Sequence, residues 1–324
     1  MPGSSSTLRL PTVAHAGEFG LINAIRSILP QGSHVIVGPG DDCAVVRGQE
    51  TCPVISTDLM VEGRHFRRDW SPAADIGARA AAQNLSDVNA MGGTATSLTL
   101  GLALPHDLPA AWVMEFVRGF AEEAGSVGAS VVGGDLTSSD TLMLAVTVLG
   151  SCPAPPVLRS GARPGDTVAI AGRQGWSAAG LALLERGVSE PQELLKAYHR
   201  PTPPYAAGPE AARAGATVML DVSDGLVADA RHLAQASNVV IDLWTDELRL
   251  VGPPASGPAG TGVDRMQCIL SGGDDHPLLA CFNRTAELPD GWTQVGAVLP
   301  ADGGQPMVTV DGEAYDGPAG WTHF

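Results

Sequence analysis

Residues 217–226, TVMLDVSDGL, carry the pattern that decides the expected fold. A run of apolar residues ends at Asp221, which predicts a short buried strand, and a helical pattern begins near residue 225. Ser223 and Asp224 stand in the turn between the two. Strands and helices alternate in this way through both halves of the chain, so the sequence predicts an α/β or α+β protein.

The other elements follow from the same periodicities. Strands are predicted at 35–37, 43–46, 53–57, 97–104, 130–133, 142–149, 167–171, 217–221 and 239–243. Helices are predicted at 19–29, 75–91, around 112–120, and at 177–186, 191–199, 206–214 and 225–236, and residues 252–262 read as an exposed loop.

A chain of 324 residues is near the upper limit for one hydrophobic core, so two domains are expected. The proline-rich segment CPAPP at 152–156 is the clearest break in composition. The predicted domains are therefore 1–150 and 151–324.

The charge balance excludes one class of partner. Lys and Arg number 19 against 35 Asp and Glu, which gives a net charge of −16. Such a surface repels phosphate backbones, so nucleic-acid binding is not expected. The longest uncharged stretches are interrupted by Gly, Pro and polar residues, so no membrane association is expected either. Five widely spaced cysteines without a CxxC pair favour a reducing, cytoplasmic location.

Acidic residues recur beside Gly, Ser and Thr where strands are expected to end. The strings are GPGDDCAVV (38–46), VISTDLM (54–60), NLSDVNAMGG (84–93), VVGGDLT (131–137), VMLDVSDGL (218–226) and ILSGGDDHP (269–277). Carboxylates at such positions can hold Mg²⁺, which prefers oxygen ligands and is commonly bridged to substrate phosphates. Each string taken alone also suits an ordinary turn, and Ser223 or Asp224 suits a helix N-cap.

The sequence lacks the motifs of P-loop proteins and of protein kinases. Lys196 is the only lysine, and the chain contains no GxxxxGK[ST] and no HRD or DFG set. A nucleoside triphosphate bound here would face carboxylates that repel it, so divalent cations would have to neutralise the charge.

Taken in order, several of these motifs resemble the thiamine-monophosphate kinase family. They are GPGDDCAVV, STDLMVEGRHF, NLSDVNAMGG, GGDLT, RSGARPGD (159–166), DVSDGL and SGGDD, and the resemblance extends from GEFGLI at 17–22 to GWTHF at 320–324. Single motifs are shared with other ATP-binding enzymes, including aminoimidazole ribonucleotide synthetase, whereas VEGRHF, NLSDVNAMG and DVSDGL together are specific to the thiamine branch.

The resemblance implies a two-domain fold like that of aminoimidazole ribonucleotide synthetase, with the N-terminal sheet domain forming a homodimer. It implies that ATP phosphorylates thiamine monophosphate to thiamine diphosphate by direct in-line transfer with several Mg²⁺ ions, with Asp42, Asp87, Asp135 and Asp224 as catalytic carboxylates. The implied metal ligands are Asp42, Ser56, Thr57, Asp58, Asp87, Asp135, Asp221 and Asp224. The implied ATP contacts are Gly134, Asp135, Arg159 and Ser223, and the implied substrate contacts are His65 and Asp274. Trp321, where the family itself varies, is a further candidate, as an aromatic wall for the thiamine ring.

The chain departs from the family at one motif, where SGGDDHPL replaces the usual SGGEDYEL. Asp274 is therefore one methylene shorter than the usual Glu, and His276-Pro277 replaces Tyr-Glu. Two other functions remain open at this stage: a different ATP-using enzyme of the same superfamily, and a non-catalytic protein whose carboxylates only hold cations.

Overall fold

The computed structural model describes residues 35–37, 41, 44–46, 52–152, 155–255, 261–301 and 303–322. The helix predicted at 19–29 and the candidate ligand Asp42 lie outside the described residues. Helices and strands are numbered below in chain order over the described part.

The first half of the chain forms a six-stranded sheet in the order β1-β2-β3-β6-β4-β5. Its strands are β1 (Val35–Val37), β2 (Ala44–Val46), β3 (Cys52–Val61), β4 (Thr94–Leu104), β5 (Ser130–Ser138) and β6 (Met143–Cys152). Neighbours pair antiparallel except β4 and β5, which are parallel. A parallel pair requires a crossover, and the helix between these two strands supplies it.

Two helices, α1 (Ala73–Ala90) and α2 (Ala110–Ser126), cover one face of this sheet. Their backbones approach closely at two glycines. A Cβ at Gly77 would lie 2.0 Å from the Phe116 carbonyl oxygen, and one at Gly119 would lie 1.9 Å from the Ala74 oxygen. Glycine is therefore required at both contacts, and α1 packs tightly against α2.

The two faces of the six-stranded sheet differ. On the inner face, which packs against α1 and α2, Val54 and Met60 of β3 are buried. On the outer face, Ile55, Leu59 and Leu149 are exposed, with Leu59 at 57 %. Side chains alternate between faces along a strand, so each residue of β3 and β5 can be assigned to one face from its position.

The second half forms a seven-stranded sheet in the order β13-β12-β9-β11-β7-β10-β8. Its strands are β7 (Thr167–Ala171), β8 (Ala216–Asp221), β9 (Val239–Leu243), β10 (Leu278–Phe282), β11 (Trp292–Pro300), β12 (Met307–Val310) and β13 (Glu313–Ala314). The helices are α3 (Trp176–Glu185), α4 (Gln192–His199), α5 (Ala207–Arg213), α6 (Leu226–Ser237), α7 (Thr245–Val251) and α8 (Arg265–Ser271). No described helix has the length and apolar character needed to cross a membrane.

The structure confirms the α/β class and most predicted elements up to residue 243. The sequence analysis missed α7, α8 and every strand after β9, including the nine-residue β11. The described ends of the predicted 252–262 loop contain neither helix nor strand.

One expectation about the acidic strings is wrong for two of them. Asp58 lies inside β3 and Asp135 lies inside β5, rather than beyond the ends of these strands. The strand β5 continues through Gly134 because it runs very close to β4, where a Cβ on Gly134 would lie 2.0 Å from the Leu100 oxygen. The glycine that suggests a loop in the sequence is thus a strand residue.

Candidate functional site

The turn between β8 and α6 is built by one buried carboxylate. An oxygen of Asp229 accepts hydrogen bonds from the backbone N–H groups of Ser223, Asp224 and Gly225 at 3.0, 3.1 and 3.1 Å. The capping role therefore belongs to Asp229 rather than to Ser223 or Asp224. Asp229 fixes the turn that follows Asp221, the last residue of β8.

The same turn concentrates negative charge. Burial raises the pKa of Asp229 well above its ordinary value, and the charges of Asp224 and Asp221 raise it further. Backbone N–H donation by Gly225 and the charge of Arg159 act in the opposite direction. Three carboxylates thus influence one another around this turn, which is the electrostatic setting that a cation relieves.

Two distant segments are anchored on the backbone of this turn. The N–H of Asp274 donates to the Ser223 oxygen at 3.0 Å, and the N–H of Trp321 donates to the Asp224 oxygen at 2.8 Å. The backbone at Gly273 comes so close to this turn that a Cβ at Gly273 would lie 1.9 Å from the Ser223 oxygen. Asp221, Ser223, Asp224, Asp274 and Trp321, all candidates from sequence, are therefore brought together.

Two contacts made by these residues could not be foreseen from sequence. Arg79 of α1 donates to the Asp274 carboxylate at 2.6 Å. His276 is fully buried, and its Nδ1 lies 3.0 Å from Oδ2 of Asp221. Burial lowers the pKa of His276, but the hydrogen bond and charge of Asp221 outweigh burial, so its pKa lies above the usual value.

Arg159 lies beside the same region. Its backbone N–H donates to Asp41 at 3.2 Å, and its Nε is 3.6 Å from the other oxygen of that carboxylate. The sequence analysis selected the neighbouring Asp42, which is outside the described residues. Burial lowers the pKa of His232 to about 4, and the charge of Arg159 adds to that shift and opposes the rise in the pKa of Asp229, which places Arg159 close to α6.

The candidates on β3 do not all face the same way. Ser56 and Asp58 share the inner face with Val54, whereas Thr57 lies on the outer face. The Thr57 hydroxyl donates to the Val146 oxygen at 2.8 Å. The Thr57 side chain is therefore directed away from Ser56 and Asp58.

Asp87 and His65 are positioned by different elements. Asp87 is half-buried on α1, a helix that contacts both β3 and β8 and so connects the two sheets. His65 follows β3 in a turn, and its Nδ1 accepts the N–H of Val61 at 3.0 Å. That bond assigns the ring proton of a neutral His65 to Nε2, which can then donate to a ligand.

Gly134 and Asp135 are set apart from the other candidates within a single chain. They lie on β5, the edge strand, and β6 and β4 separate it from β3. With neighbouring strands about 4.8 Å apart, three steps across the sheet place Asp135 about 14 Å from β3. The pairing register also puts Asp135 in one row with Leu59 on the outer face, opposite to Asp58.

Comparison with known proteins identifies the family. The family model for the N-terminal domain of AIR synthase related proteins matches residues 40–152. A thiamine-monophosphate kinase of Mycobacterium tuberculosis is 44 % identical over 97 % of this chain and 93 % of that protein. The chain belongs to the thiamine-monophosphate kinase family. A family member from Corynebacterium glutamicum is 36 % identical over 97 % of this chain and 95 % of its own length.

A solved structure gives the same answer for the fold. The protein described as AaThiL complexed with AMPPCP and TMP superposes with a TM-score of 0.81 at 33 % identity, covering 99 % of this chain and 100 % of that one. The fold of this thiamine-monophosphate kinase family member is therefore the AIR synthase-like α/β fold expected from its motifs.

The donor set suits the magnesium that the family resemblance implies. In the part of the chain that the structure describes, no three His, Cys, Asp or Glu side chains gather closely enough to form a complete metal cage. Mg²⁺ does not need one, since proteins usually hold it through one or two carboxylates together with substrate phosphates and water. Asp221 and Asp224, both close enough to Asp229 to raise its pKa, are the candidate pair at the β8–α6 turn, and one oxygen of Asp221 is already held by His276.

Proposed function

We propose that this protein transfers the γ-phosphoryl group of ATP to thiamine monophosphate and releases thiamine diphosphate and ADP. The observation that carries the proposal is the relationship to thiamine-monophosphate kinases over nearly the whole chain, including the motifs that meet at the β8–α6 turn. The solved relative described with AMPPCP, an ATP analogue, and TMP supports both substrates.

The proposed reaction depends on the positioning of the two substrates and does not require a strong general base. A phosphate oxygen of thiamine monophosphate is ionised at neutral pH, attacks the γ-phosphorus in line, and the bond to the ADP oxygen breaks. No proton has to be removed from this nucleophile. Asp229 holds the turn, Arg159 offers a guanidinium for a phosphate oxygen, and the neutral His65 donates from Nε2.

The residues proposed to hold Mg²⁺ are Asp221, Asp224, Asp87 and, on β3, Ser56 and Asp58. Bound Mg²⁺ would neutralise the charge that develops on the phosphoryl oxygens. The remaining ligands implied by the family resemblance, Asp42, Thr57 and Asp135, stay proposed ligands. Gly134, Asp135, Arg159 and Ser223 are proposed for ATP, and Asp274 and Trp321 for the thiamine end of the acceptor.

We further propose that the active unit is a homodimer in which Asp135 serves the site of the partner copy. Within one chain Asp135 is on the edge strand and on the opposite face from Asp58. Every residue of β5 is exposed, and Val132 and Leu136 are 61 % and 68 % exposed. An exposed apolar edge strand of this length requires a cover, and a second copy would supply one while bringing Asp135 to a site.

We also propose a domain division and a cellular location. The change of sheet after Cys152 supports the domain division predicted at 150/151. The four described cysteines are buried free thiols, which supports a reducing cytoplasmic location.

The reaction is tested by incubating the protein with ATP, Mg²⁺ and thiamine monophosphate and by separating the products chromatographically. Thiamine diphosphate and ADP in equal amounts are expected. ADP released only with formylglycinamidine ribonucleotide would indicate an aminoimidazole ribonucleotide synthetase-like enzyme instead. Metal binding with no ATP turnover on either acceptor would indicate a non-catalytic protein.

Sharing of the site between two copies is tested by mixing two inactive variants, Asp135→Asn and Asp224→Asn. If Asp135 acts on the partner's site, each mixed dimer contains one intact site, and full exchange restores roughly a quarter of the wild-type activity. If both residues act within one chain, mixing restores nothing.

A further inference from the structure

Arg79 is a buried charge at the junction of three segments. Its side chain is 6 % exposed although it belongs to α1, whose other buried residues are mostly small or apolar. Its guanidinium lies 2.6 Å from Oδ2 of Asp274 and 4.8 Å from the ring centroid of Tyr198 in α4. A guanidinium buried in this way requires a counter-charge, and Asp274 provides it.

Asp274 differs from Arg79 in being open to solvent on one side. Its side chain is 41 % exposed while one oxygen is held by Arg79. Its backbone is also constrained, because its φ is +64° and its N–H donates to the Ser223 oxygen. The carboxylate is thus fixed from the protein side and presents its remaining acceptor capacity to the cleft.

We infer that Arg79 is a positioning residue, which, stacked on Tyr198, fixes the Asp274 carboxylate in the orientation that receives the thiamine portion of the acceptor. The inference rests on the proposed function. Thiamine carries a cationic ring and an amino group, and either is complementary to the exposed carboxylate oxygen. Arg79 does not touch the acceptor in this scheme and acts only through Asp274.

The side-chain lengths of Arg79 and Asp274 match each other. Asp274 is one methylene shorter than the glutamate usual in the family, and the extended guanidinium of Arg79 spans the gap at 2.6 Å. A lysine at residue 79 would carry a more compact charge on a shorter reach and could not offer two N–H groups in one plane. Lengthening the acid by one methylene would return a lysine to contact distance.

The test uses Arg79→Lys, Asp274→Glu and the double variant Arg79→Lys/Asp274→Glu. The KM values for thiamine monophosphate and for ATP are measured, and thiamine monophosphate binding is measured by calorimetry without ATP. Each single variant is expected to raise the KM and Kd for thiamine monophosphate about tenfold, the effect of losing one charged hydrogen bond. The KM for ATP should stay within about twofold, and the double variant should recover most of the loss.

A matched control is Arg200→Lys, which alters an exposed Arg–carboxylate pair, with Glu122 at 2.8 Å, and should change neither KM. The inference is overturned if the single variants leave the KM for thiamine monophosphate unchanged. It is also overturned if both KM values rise together with a lower Tm, or if the double variant shows the product of the two single effects. Failure of the wild-type protein to form thiamine diphosphate would overturn the proposed function as well, whereas an active wild type with unshifted variants overturns only the role of Arg79.

Discussion

The two sheets arrange their acidic residues in opposite ways. Around the β8–α6 turn, hydrogen bonds within one chain draw Asp221, Asp224 and Asp274 together and fix the backbone that carries them. On the six-stranded sheet, Asp58 and Asp135 lie on different faces of strands that are not neighbours. We infer that the half of the proposed site at the β8–α6 turn, the preorganised half, is held in place by the single chain. The half that includes Asp135, the open half, would require a partner surface at the exposed strand β5.

The largest expected effect is at the preorganised half. Asp224→Asn removes a charge beside Asp221 while keeping the side-chain shape, so kcat should fall by about a thousandfold, as is typical when charge stabilisation of a transition state is lost. Initial rates of thiamine diphosphate formation provide the measurement. The matched control is Asp246→Asn, because Asp246 is 86 % exposed and pairs only with Arg249 among the contacts seen. A normal rate for Asp224→Asn would remove this residue from the site.

The next effect concerns the open half. Leu136→Asp places a charge on the exposed edge strand without disturbing the core of the monomer. The variant should run as a monomer in size-exclusion chromatography with light scattering, and its activity at nanomolar concentration should fall by about thirtyfold or more, as expected for a site that needs two copies. Leu250→Asp, at an equally exposed leucine on α7, serves as the control. An active monomeric variant would show that β5 contributes no residue to a partner.

The free energy of unfolding should depend on pH through Asp275, the neighbour of Asp274 in the preorganised half. Burial raises the pKa of Asp275 to about 7, against the opposing N–H groups of Ser177, Trp176 and Gly175, and the charge of Asp274 adds to the rise. Cys268 also lies within electrostatic range of this carboxylate. The folded protein therefore binds a proton more tightly than the unfolded chain does.

The free energy of unfolding should consequently fall as pH rises from about 4 to 7, by about 1.4 kcal/mol per unit at most from this group. Asp275→Asn should flatten that part of the profile, measured by urea unfolding at several pH values. A variant whose profile keeps the wild-type slope would assign the pH dependence to other groups.

The smallest expected effect is the loss of the cap. Asp229→Ala removes the acceptor of three backbone N–H groups and should lower the free energy of unfolding by about 1 kcal/mol or more, because these donors are left without that partner. It should also weaken Mg²⁺-dependent ATP binding, because the turn that carries Asp224 is released. Chemical denaturation and ATP titration measure the two effects. Asp264→Ala, which caps α8 through Met266 and Gln267, is the control that should lower stability but leave ATP binding unchanged.

The sequence predicted the fold well where periodicity was strong. The bounds of β7 and β9 are those predicted, and α1 differs by one or two residues at its ends. It failed after residue 243, where every element except β11 has seven residues or fewer and so gives a weak period, and it also missed the nine-residue β11. It also read Gly134 as a loop signal, although the glycine serves a close strand contact.

Several site residues were missed for a common reason. Asp229 and Arg79 lie in helices and carry no motif of their own, and His276 was visible only as a departure from the usual family string. Their roles depend on partners that folding brings near: Arg79 and Asp274 are 195 residues apart in the chain, and His276 and Asp221 are 55 apart. Local pattern contains no information about such pairs.

The amino-acid sequence by itself determined the α/β class, the family and the kinds of side chain available, because periodicity, glycine and carboxylates are local properties. Only the tertiary structure decided that Asp229 caps the turn, that Thr57 turns away from Asp58, and that Asp135 lies on the far face of an edge strand. Strand register and the packing of segments distant in the chain settle these positions, since a shift of one residue along a strand moves a side chain to the opposite face.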